Sequence, residues 1–280
     1  MKKCKISTIV IIAVSLITLF VLIFMLCGSF MSYEEVTSHY GNIYTGGGKG
    51  EYASFQIVPE GFSVNQYYKA LLETPDYLYK FWNSILLSLP ILLGVIVVST
   101  LGGYGFAKFQ FPFKNFFFFL FLLVIMLPYQ VMMVPNFMVM DAVGLIGSRW
   151  SIILPNIFTP FGTFLIYQFM RRIPDDILES ARLDGAGEIG VFFKIILPQA
   201  APAIASLAML NIIDTWSMIE QPLVFLQDPE KNPLSVALAY INTGNIGIAF
   251  VCGVVFLIPL LLVFLMGKDK LVDGISNSVI

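Results

Sequence analysis

Residues 171–194, RRIPDDILESARLDGAGEIGVFFK, decide how this chain is organised. The segment is rich in charged side chains, and it lies between two apolar runs at residues 150–170 and 195–213. Each run has about the 20 residues that an α-helix needs to cross the hydrocarbon part of a bilayer. We therefore predict a polar loop that is held at both ends by membrane-spanning helices.

Helix signals divide this loop into two short helices. Pro174, Asp175 and Asp176 predict a helix start, because proline suits the first turn and acids complement the positive end of the helix dipole. Gly185 predicts the end of that helix, since glycine adopts the left-handed backbone conformation of a helix C-terminus at little cost. A second helix is expected over residues 188–193, and it leads directly into the next apolar run.

The composition of the whole chain is that of a membrane protein. Of its 280 residues, 58% are hydrophobic and 12% are charged, whereas soluble domains carry about 25% charged residues. The net charge of −2 argues against a nucleic-acid partner. We predict an all-α polytopic protein with six transmembrane helices, several of them kinked by proline, with small residues such as Gly102, Gly103 and Gly105 at close helix contacts. The six apolar runs are residues 6–27, 81–107, 116–140, 150–170, 195–213 and 246–266.

The distribution of charge predicts the orientation. We interpret residues 6–27 as a membrane helix rather than a cleaved signal, because the run is long and no A-x-A-like site follows it. With the N-terminus inside, 11 of the 16 Lys and Arg residues lie in cytoplasmic segments, so both termini are expected in the cytoplasm. We predict an N-terminal helix with an extracytoplasmic loop over residues 1–80, and a core over residues 81–280. The polar residues 28–80 either fold partly and meet an extracytoplasmic partner or form a solvated linker.

The polar loop closely resembles a known motif. It is similar to the EAA loop of bacterial ABC-importer permeases, whose pattern is E-A-A, three residues, G, nine residues, I-x-L-P. Every spacing agrees, and the one departure is Ser180 in place of the second alanine. The tripeptide at residues 184–186 also resembles the D-G-A of the carbohydrate branch. The matching positions are Glu179, Ser180, Ala181, Gly185, Ile195, Leu197 and Pro198.

Further resemblances follow in the correct order along the chain. Residues 103–108, GYGFAK, resemble the G-Y-A-F-A-R that ends the second helix, and residues 271–275, LVDGI, resemble the C-terminal tail. Together they point to the carbohydrate branch of the binding-protein-dependent transport inner membrane components, and within it to the type of the maltose permease G protein. The resemblance implies the type I ABC-importer permease fold and transport of a sugar or oligosaccharide across the bacterial cytoplasmic membrane.

The resemblance also implies partners. These are a second homologous permease forming a heterodimer, two cytosolic ATPase subunits and an extracytoplasmic solute-binding protein. The ATPases would bind ATP and Mg²⁺, since this chain has no G-x-x-x-x-G-K-[ST] loop and is not expected to be an enzyme. Glu179 would be a polar anchor in a groove of the ATPase, and Ser180 and Ala181 would be small enough to enter it. The implied ATPase contacts are Glu179, Ser180, Ala181, Asp184, Gly185 and Ala186, with Asp273 and Gly274 in the C-terminal tail.

Polar side chains within the apolar runs are candidates for the substrate path. Such side chains are expensive in a membrane, and a sugar needs hydroxyl-bonding groups and flat aromatic faces. The alternative for each is a hydrogen bond between helices or, for Trp216, an anchor at the membrane interface. The candidates are Tyr129, Gln130, Asn136, Asn211, Asp214, Trp216 and Glu220.

Three other functions remain open from the residues. Within importers, the cargo could be a glycerol-phosphate or another polyol. An ion-coupled secondary transporter is less favoured, because paired carboxylates and an obvious inverted repeat are lacking. An intramembrane enzyme is disfavoured by the lack of HExxH, G-x-S-x-G or paired aspartates. Cys4, Cys27 and Cys252 have no metal-binding spacing, so we expect neither a disulfide nor a metal site.

Overall fold

The computed structural model describes residues 2–41, 54, 56–73, 75–241 and 246–279, and within these ranges the side chains from residue 8 to residue 268. The described residues form helices and no strands. In chain order the helices are α1 (Lys2–Gly28), α2 (Tyr33–Tyr40), α3 (Asn65–Tyr68), α4 (Asp76–Lys108), α5 (Lys114–Ile125), α6 (Tyr129–Ala142), α7 (Trp150–Ile157), α8 (Pro160–Met170), α9 (Asp175–Leu183), α10 (Glu188–Val191), α11 (Leu197–Trp216), α12 (Glu220–Phe225), α13 (Leu234–Tyr240) and α14 (Ile246–Val279).

The membrane-spanning helices follow the apolar runs. In the described part of the chain, five helical stretches are long and apolar enough to cross a bilayer, and a bent pair of helices brings the number to six. The prediction of an all-α polytopic membrane protein is therefore confirmed. The first stretch, Thr8–Gly28, has a mean hydropathy of 3.2, and large apolar side chains along it, such as Ile9, Ile17 and Ile23, are exposed. These side chains face where lipid would lie.

The third apolar run is sharply bent. Residues 116–140 were expected to form one membrane-spanning helix with a kink, and α5 and α6 meet at a bend of 108°. Pro128 lacks an N–H and disfavours the α conformation of the residue before it, so α5 ends at Ile125 and α6 begins at Tyr129. The run is therefore a bent helical pair.

The chain forms two compact units, Met1–Trp82 with Leu234–Pro259, and Asn83–Pro233 with Leu260–Ile280. In the first unit, Ser32 Oγ accepts the N–H of Glu35 at 3.2 Å and Glu35 Oε2 accepts the N–H of Ser32 at 3.4 Å, which is a capping box for α2. The other oxygen of this carboxylate accepts the N–H of Glu60 at 2.7 Å. The rings of Phe24 and Phe250 meet edge to face with centroids 5.5 Å apart, which joins α1 to α14.

In the second unit, α8 packs between α4 and α11 through glycines. A Cβ on Gly162 of α8 would lie 2.4 Å from Ser99 Oγ of α4 and 3.2 Å from Leu207 Cδ1 of α11. A Cβ on Gly103 of α4 would lie 2.6 Å from Ile166 Cγ2 of α8. The predicted use of small residues at close helix contacts is thus confirmed at Gly103, but it is wrong at Gly105, where a Cβ would have no atom of the described residues within 4 Å. The sequence alone assigned no role to Gly162.

Candidate functional site

The first candidate site is the polar helix pair, which we define as α9, α10 and the turn between them, residues 175–191. Leu178 is 1% exposed and anchors α9 in the core of the second unit. Ile173 and Val191 are also buried in that core, one on each side of the pair. The first predicted helix of the loop is confirmed as α9, but the second is not a separate short helix, because α10 continues through the π-helical turn Phe192–Ile196 into α11. The pair is held in place by one buried residue of α9 and by its two ends.

The turn between the two helices has a defined geometry. Asp184 is the cap residue of α9, and Gly185 has a φ of +88°. The N–H of Ala186 donates to the Ala181 carbonyl at 3.0 Å, and the N–H of Gly185 donates to the Arg182 carbonyl at 3.0 Å. These two bonds are the Schellman motif, which satisfies the last carbonyls of a helix and needs a left-handed residue. Gly185 thus ends α9 as predicted.

The residues predicted to contact an ATPase divide between two faces of the pair. Glu179, Ser180, Asp184 and Gly185 are exposed, and the Ser180 hydroxyl donates to the Asp176 carbonyl at 2.8 Å. Ala181 and Ala186 are half-buried and pack against the core of their own unit. The small side chains at these two positions therefore allow the pair to lie close to its own chain.

The exposed face of the pair carries apolar side chains that the sequence analysis did not single out. Leu183 is 89% exposed and Ile189 is 76% exposed, and Phe193 follows on the next turn with its ring also exposed. We call these three residues the apolar face. Leaving such side chains in water is unfavourable, so contact with a partner protein would stabilise them. The signal in the sequence was the alternation of apolar residues with Arg182, Asp184 and Glu188.

A set of polar contacts ties the pair to the end of α4. The buried side chain of Lys108 donates to Asp175 Oδ1 at 2.7 Å and to the Ile173 carbonyl. The Tyr104 hydroxyl donates to Glu188 Oε2 at 3.2 Å. Tyr104 and Lys108 both belong to the GYGFAK sequence noted above, so this motif positions the helix pair. The sequence analysis noted this motif as a resemblance and assigned it no structural role.

A salt bridge within the pair completes this network. Arg182 Nε donates to Glu188 Oε1 at 2.8 Å, and Arg182 Nη2 donates to the other carboxylate oxygen at 3.3 Å. The hydrogen bond to this carboxylate raises the pKa of the Arg182 guanidinium above its ordinary value. The bridge joins the end of α9 to the start of α10 across the Gly185 turn.

The second candidate site is a polar cavity of about 710 Å³ in the second unit. Helix interruptions surround it at residues 126–128, 158–159 and 217–219. Tyr129 follows the first, Thr159 lies in the second, and Ser217 and Ile219 lie in the third, and all four line the cavity. Broken helices with irregular backbone at membrane depth are tolerated where they line a cavity, and in transporters they form substrate sites. The volume lies in the usual range of ligand pockets, about 300–1,000 Å³.

The wall of this cavity contains amide groups with unused hydrogen-bonding capacity. Asn156 Nδ2 donates to Gln221 Oε1 at 2.7 Å, and Gln221 is 1% exposed. Gln221 Nε2 and Asn211 Oδ1 are buried and meet no hydrogen-bonding atom among the residues that the structure describes. A buried polar atom without a partner is rare in native proteins and calls for an explanation such as a ligand.

The structure brings together part of the predicted substrate path. Four of the predicted residues line the cavity, namely Tyr129, Asn211, Asp214 and Glu220. Gln130 lies beside it and donates to Glu220 Oε2 at 3.5 Å. Asn136 and Trp216 are not part of the lining, and Trp216 is only 2% exposed, so it packs in the protein rather than at a membrane interface. The sequence analysis missed Asn156, Thr159, Thr215, Ser217 and Gln221.

The predicted ATPase contacts of the C-terminal tail cannot be placed by their side chains. Asp273 and Gly274 fall in the last turns of α14, where the structure gives the helix but their side chains lie outside the described residues. Among the residues that are described, no group of three or more His, Cys, Asp or Glu side chains could hold a metal ion.

The family model and the relatives that match this chain are all components of transport systems. A family model described as "Binding-protein-dependent transport system inner membrane component" matches residues 61–276. The arabinooligosaccharides transport system permease protein AraQ of Bacillus subtilis is 31% identical over 226 residues, which cover 80% of this chain and 80% of AraQ. The sn-glycerol-3-phosphate transport system permease protein UgpE of Yersinia pestis is 36% identical over 146 residues, 52% of each chain.

A solved structure is similar in fold. The crystal structure of a bacterial ABC transporter involved in the import of the acidic polysaccharide alginate matches with a TM-score of 0.78 over 94% of this chain and 94% of that chain, at 20% identity. At this identity the likeness supports the fold alone. The family match, by contrast, covers most of the chain, including the polar helix pair and the cavity. The protein is therefore a member of the binding-protein-dependent transport system inner membrane component family, a multi-pass membrane protein of transport systems.

Proposed function

We propose that this protein is one of two permease subunits of an ATP-driven ABC importer that moves a sugar or oligosaccharide across the bacterial cytoplasmic membrane. The observation that carries the proposal is the polar cavity, because its carboxylate, amide and hydroxyl groups suit a hydroxyl-rich cargo. The family of the chain and the name of AraQ, an arabinooligosaccharides transport system permease, support the same cargo class.

We further propose that the polar helix pair is the docking site for a cytosolic ATPase subunit. The apolar face of Leu183, Ile189 and Phe193 would be removed from water by the partner, and Glu179 beside it would provide a polar contact. Gly185 fixes the angle between the two helices of the docking site. The C-terminal residues Asp273 and Gly274 would make a second contact with the ATPases, which bind the ATP and Mg²⁺.

The importer would contain a second homologous permease, two ATPase subunits and an extracytoplasmic solute-binding protein. We propose that both termini are cytoplasmic, because this orientation puts most Lys and Arg residues inside. It also places the helix pair inside, where an ATPase can reach it. The acidic and polar segment after α1 would then face outward, towards the binding protein.

A second cargo class has one observation in its favour. UgpE, which is named for sn-glycerol-3-phosphate transport, shares 36% identity with about half of this chain. This alternative keeps the importer and its ATPase subunits, so it changes the proposed cargo and not the proposed mechanism. An ion-coupled secondary transporter would need no ATPase, and that difference makes it directly testable.

The test is copurification of partner subunits. We would tag the C-terminus, solubilise the membranes in mild detergent, and identify the associated proteins by mass spectrometry. The wild type is expected to bring down a second permease and an ATPase. Glu179→Arg and Leu183→Asp are expected to lose the ATPase and keep the second permease, because both side chains are exposed and contribute little to the fold of their own chain.

A matched control separates a docking effect from a general effect of added charge. Phe113→Asp replaces another exposed apolar residue, in the short segment between α4 and α5, which is expected on the same side of the membrane. This variant should retain the ATPase. If the wild type purifies without an ATPase under every nucleotide condition, the importer proposal fails and a secondary transporter becomes the better explanation.

A further inference from the structure

The polar cavity has the properties of a built ligand site. Gln221 is 1% exposed, it lines the cavity, and its Nε2 lacks a partner among the described residues, while its Oε1 accepts a hydrogen bond from Asn156. The amide is thus held in one orientation by Asn156, with an N–H donor left for another molecule. Asn211 Oδ1 is an unused acceptor in the same wall.

The charged side chains that line the cavity in the described chain are all acidic. Asp214 and Glu220 are exposed carboxylates that line the cavity, and no lysine or arginine is among its lining residues in the described chain. The helix starts at Tyr129 and Thr159 add partial positive charge, about half an elementary charge each. Two full carboxylates outweigh these partial charges, so the wall is negative.

A negative wall discriminates between classes of cargo. A carboxylate accepts hydrogen bonds and donates none, so Asp214 and Glu220 bind hydroxyl groups well. A phosphate or a uronic acid brings a further negative charge to these two carboxylates, without a basic residue in the described lining to pair with it. The ring of Tyr129 adds an apolar surface of the kind that sugar rings contact.

We propose that this cavity is a subsite for a sugar unit that carries no negative charge. Hydroxyl groups of the sugar donate to Asp214 and Glu220, and the Gln221 amide donates to a sugar oxygen. The proposal rests on the function proposed above, which it narrows: it excludes polyol phosphates and acidic sugars as cargo. The cargo proposed for this cavity then differs from alginate, the acidic polysaccharide imported by the transporter of similar fold.

The experiment compares cargo classes in the complete transporter. The permease and the partners identified by copurification would be expressed together, and energised membrane vesicles would be offered equal concentrations of four probes. Arabinotriose and maltotriose are neutral, and alginate trisaccharide and sn-glycerol 3-phosphate are anionic. Mass spectrometry of the vesicle contents is expected to show at least one neutral probe accumulated about tenfold or more above either anionic probe.

Variants assign the selectivity to the cavity rather than to the binding protein. The double substitution Asp214→Asn and Glu220→Gln removes both charges with little change of shape, and it is expected to raise the ratio of anionic to neutral uptake about tenfold. Glu230→Gln removes an exposed carboxylate that does not line the cavity, and it should leave the ratio unchanged. Copurification of the ATPase with each variant checks that the protein is folded.

The possible outcomes are distinguishable. Accumulation of an anionic probe at or above the level of the neutral ones overturns the proposal, as does an unchanged ratio in the double variant. If no probe accumulates although the ATPase copurifies, the sugar subsite is also overturned. If no ATPase copurifies, it is the proposed importer function that fails.

Discussion

Replacement of Gly185 by valine gives a direct test of the helix pair. Its φ of +88° lies in the left-handed region, and a Cβ at this position would meet nothing within 4 Å. The substitution therefore introduces backbone strain without a clash, at a cost of about 1–2 kcal/mol. This is small compared with a total stability of about 5–15 kcal/mol, so the protein should still fold and reach the membrane.

The strain acts on the turn itself. A cost of this size lowers the population of the native turn about 5- to 30-fold relative to other conformations. Since the turn sets the angle of the two helices proposed to contact the ATPase, ATP-driven uptake should fall, by at most a similar factor. The assay is uptake of the accumulated probe into vesicles, with the amount of permease measured by immunoblot. Gly185→Asn should retain more activity, because asparagine tolerates this conformation better.

Gly187→Val is the matched control for this substitution. Gly187 lies two residues further on, has a φ of −70°, and also has open space at its Cβ position. Valine is compatible with that conformation, so uptake should stay close to that of the wild type. Normal uptake by the Gly185→Val protein, or an equal loss in both variants, would show that the left-handed turn is not what matters.

Three further substitutions test other parts of the structure. Gly162→Ala places a methyl group against α4 and α11, and overpacking of about 1–3 kcal/mol should lower the thermal unfolding temperature in detergent. Lys108→Met removes the hydrogen bonds that hold Asp175, at a cost of about 1–3 kcal/mol, and should lower the number of sugar molecules imported per ATP hydrolysed. Ser32→Ala removes the N-cap of α2 and should destabilise the first unit by about 1 kcal/mol, as measured by hydrogen exchange of the Glu35 amide.

Each of these substitutions has a control variant. For the first two, the same kind of substitution is made at another position, and for the third, a replacement at the same position keeps a hydrogen-bond acceptor. Gly105→Ala on α4 adds a methyl group where nothing lies within 4 Å, and it should not lower the unfolding temperature. Lys114→Met removes a half-buried lysine that donates to the Phe109 carbonyl within the same segment, and coupling should be retained. Ser32→Asp keeps a capping oxygen and should retain protection. Equal effects in variant and control would refute the corresponding argument.

Local signals in the sequence predicted the helix pair well. The start of α9 after Pro174 and its end at Gly185 depend on the backbone preferences of these two residues, which act within a few residues of chain. Proline predicted a kink between α5 and α6, but not its size. Pro128 marks the position of an interruption, but the angle of 108° depends on packing against helices distant in the sequence.

The site was only partly predictable for the same reason. Polar residues in apolar runs pointed to Asn211 and Asp214, and Asn156 carries the same signal within residues 150–170 but was overlooked. Gln221 looked like part of an outer loop, and only the fold brings its amide to Asn156. Trp216 was a reasonable candidate by residue type, yet its ring is buried, and burial is a property of the whole unit.

The three helix interruptions around the cavity have a mechanical consequence. Bending a continuous helix strains its ladder of hydrogen bonds, whereas bending at an existing interruption strains few of them. Residues 126–128, 158–159 and 217–219 are therefore hinges at which the segments on either side can tilt at low cost. A molecule in the cavity would contact residues of two of these hinges and Tyr129 next to the third, so its binding would change how easily the helix segments bend.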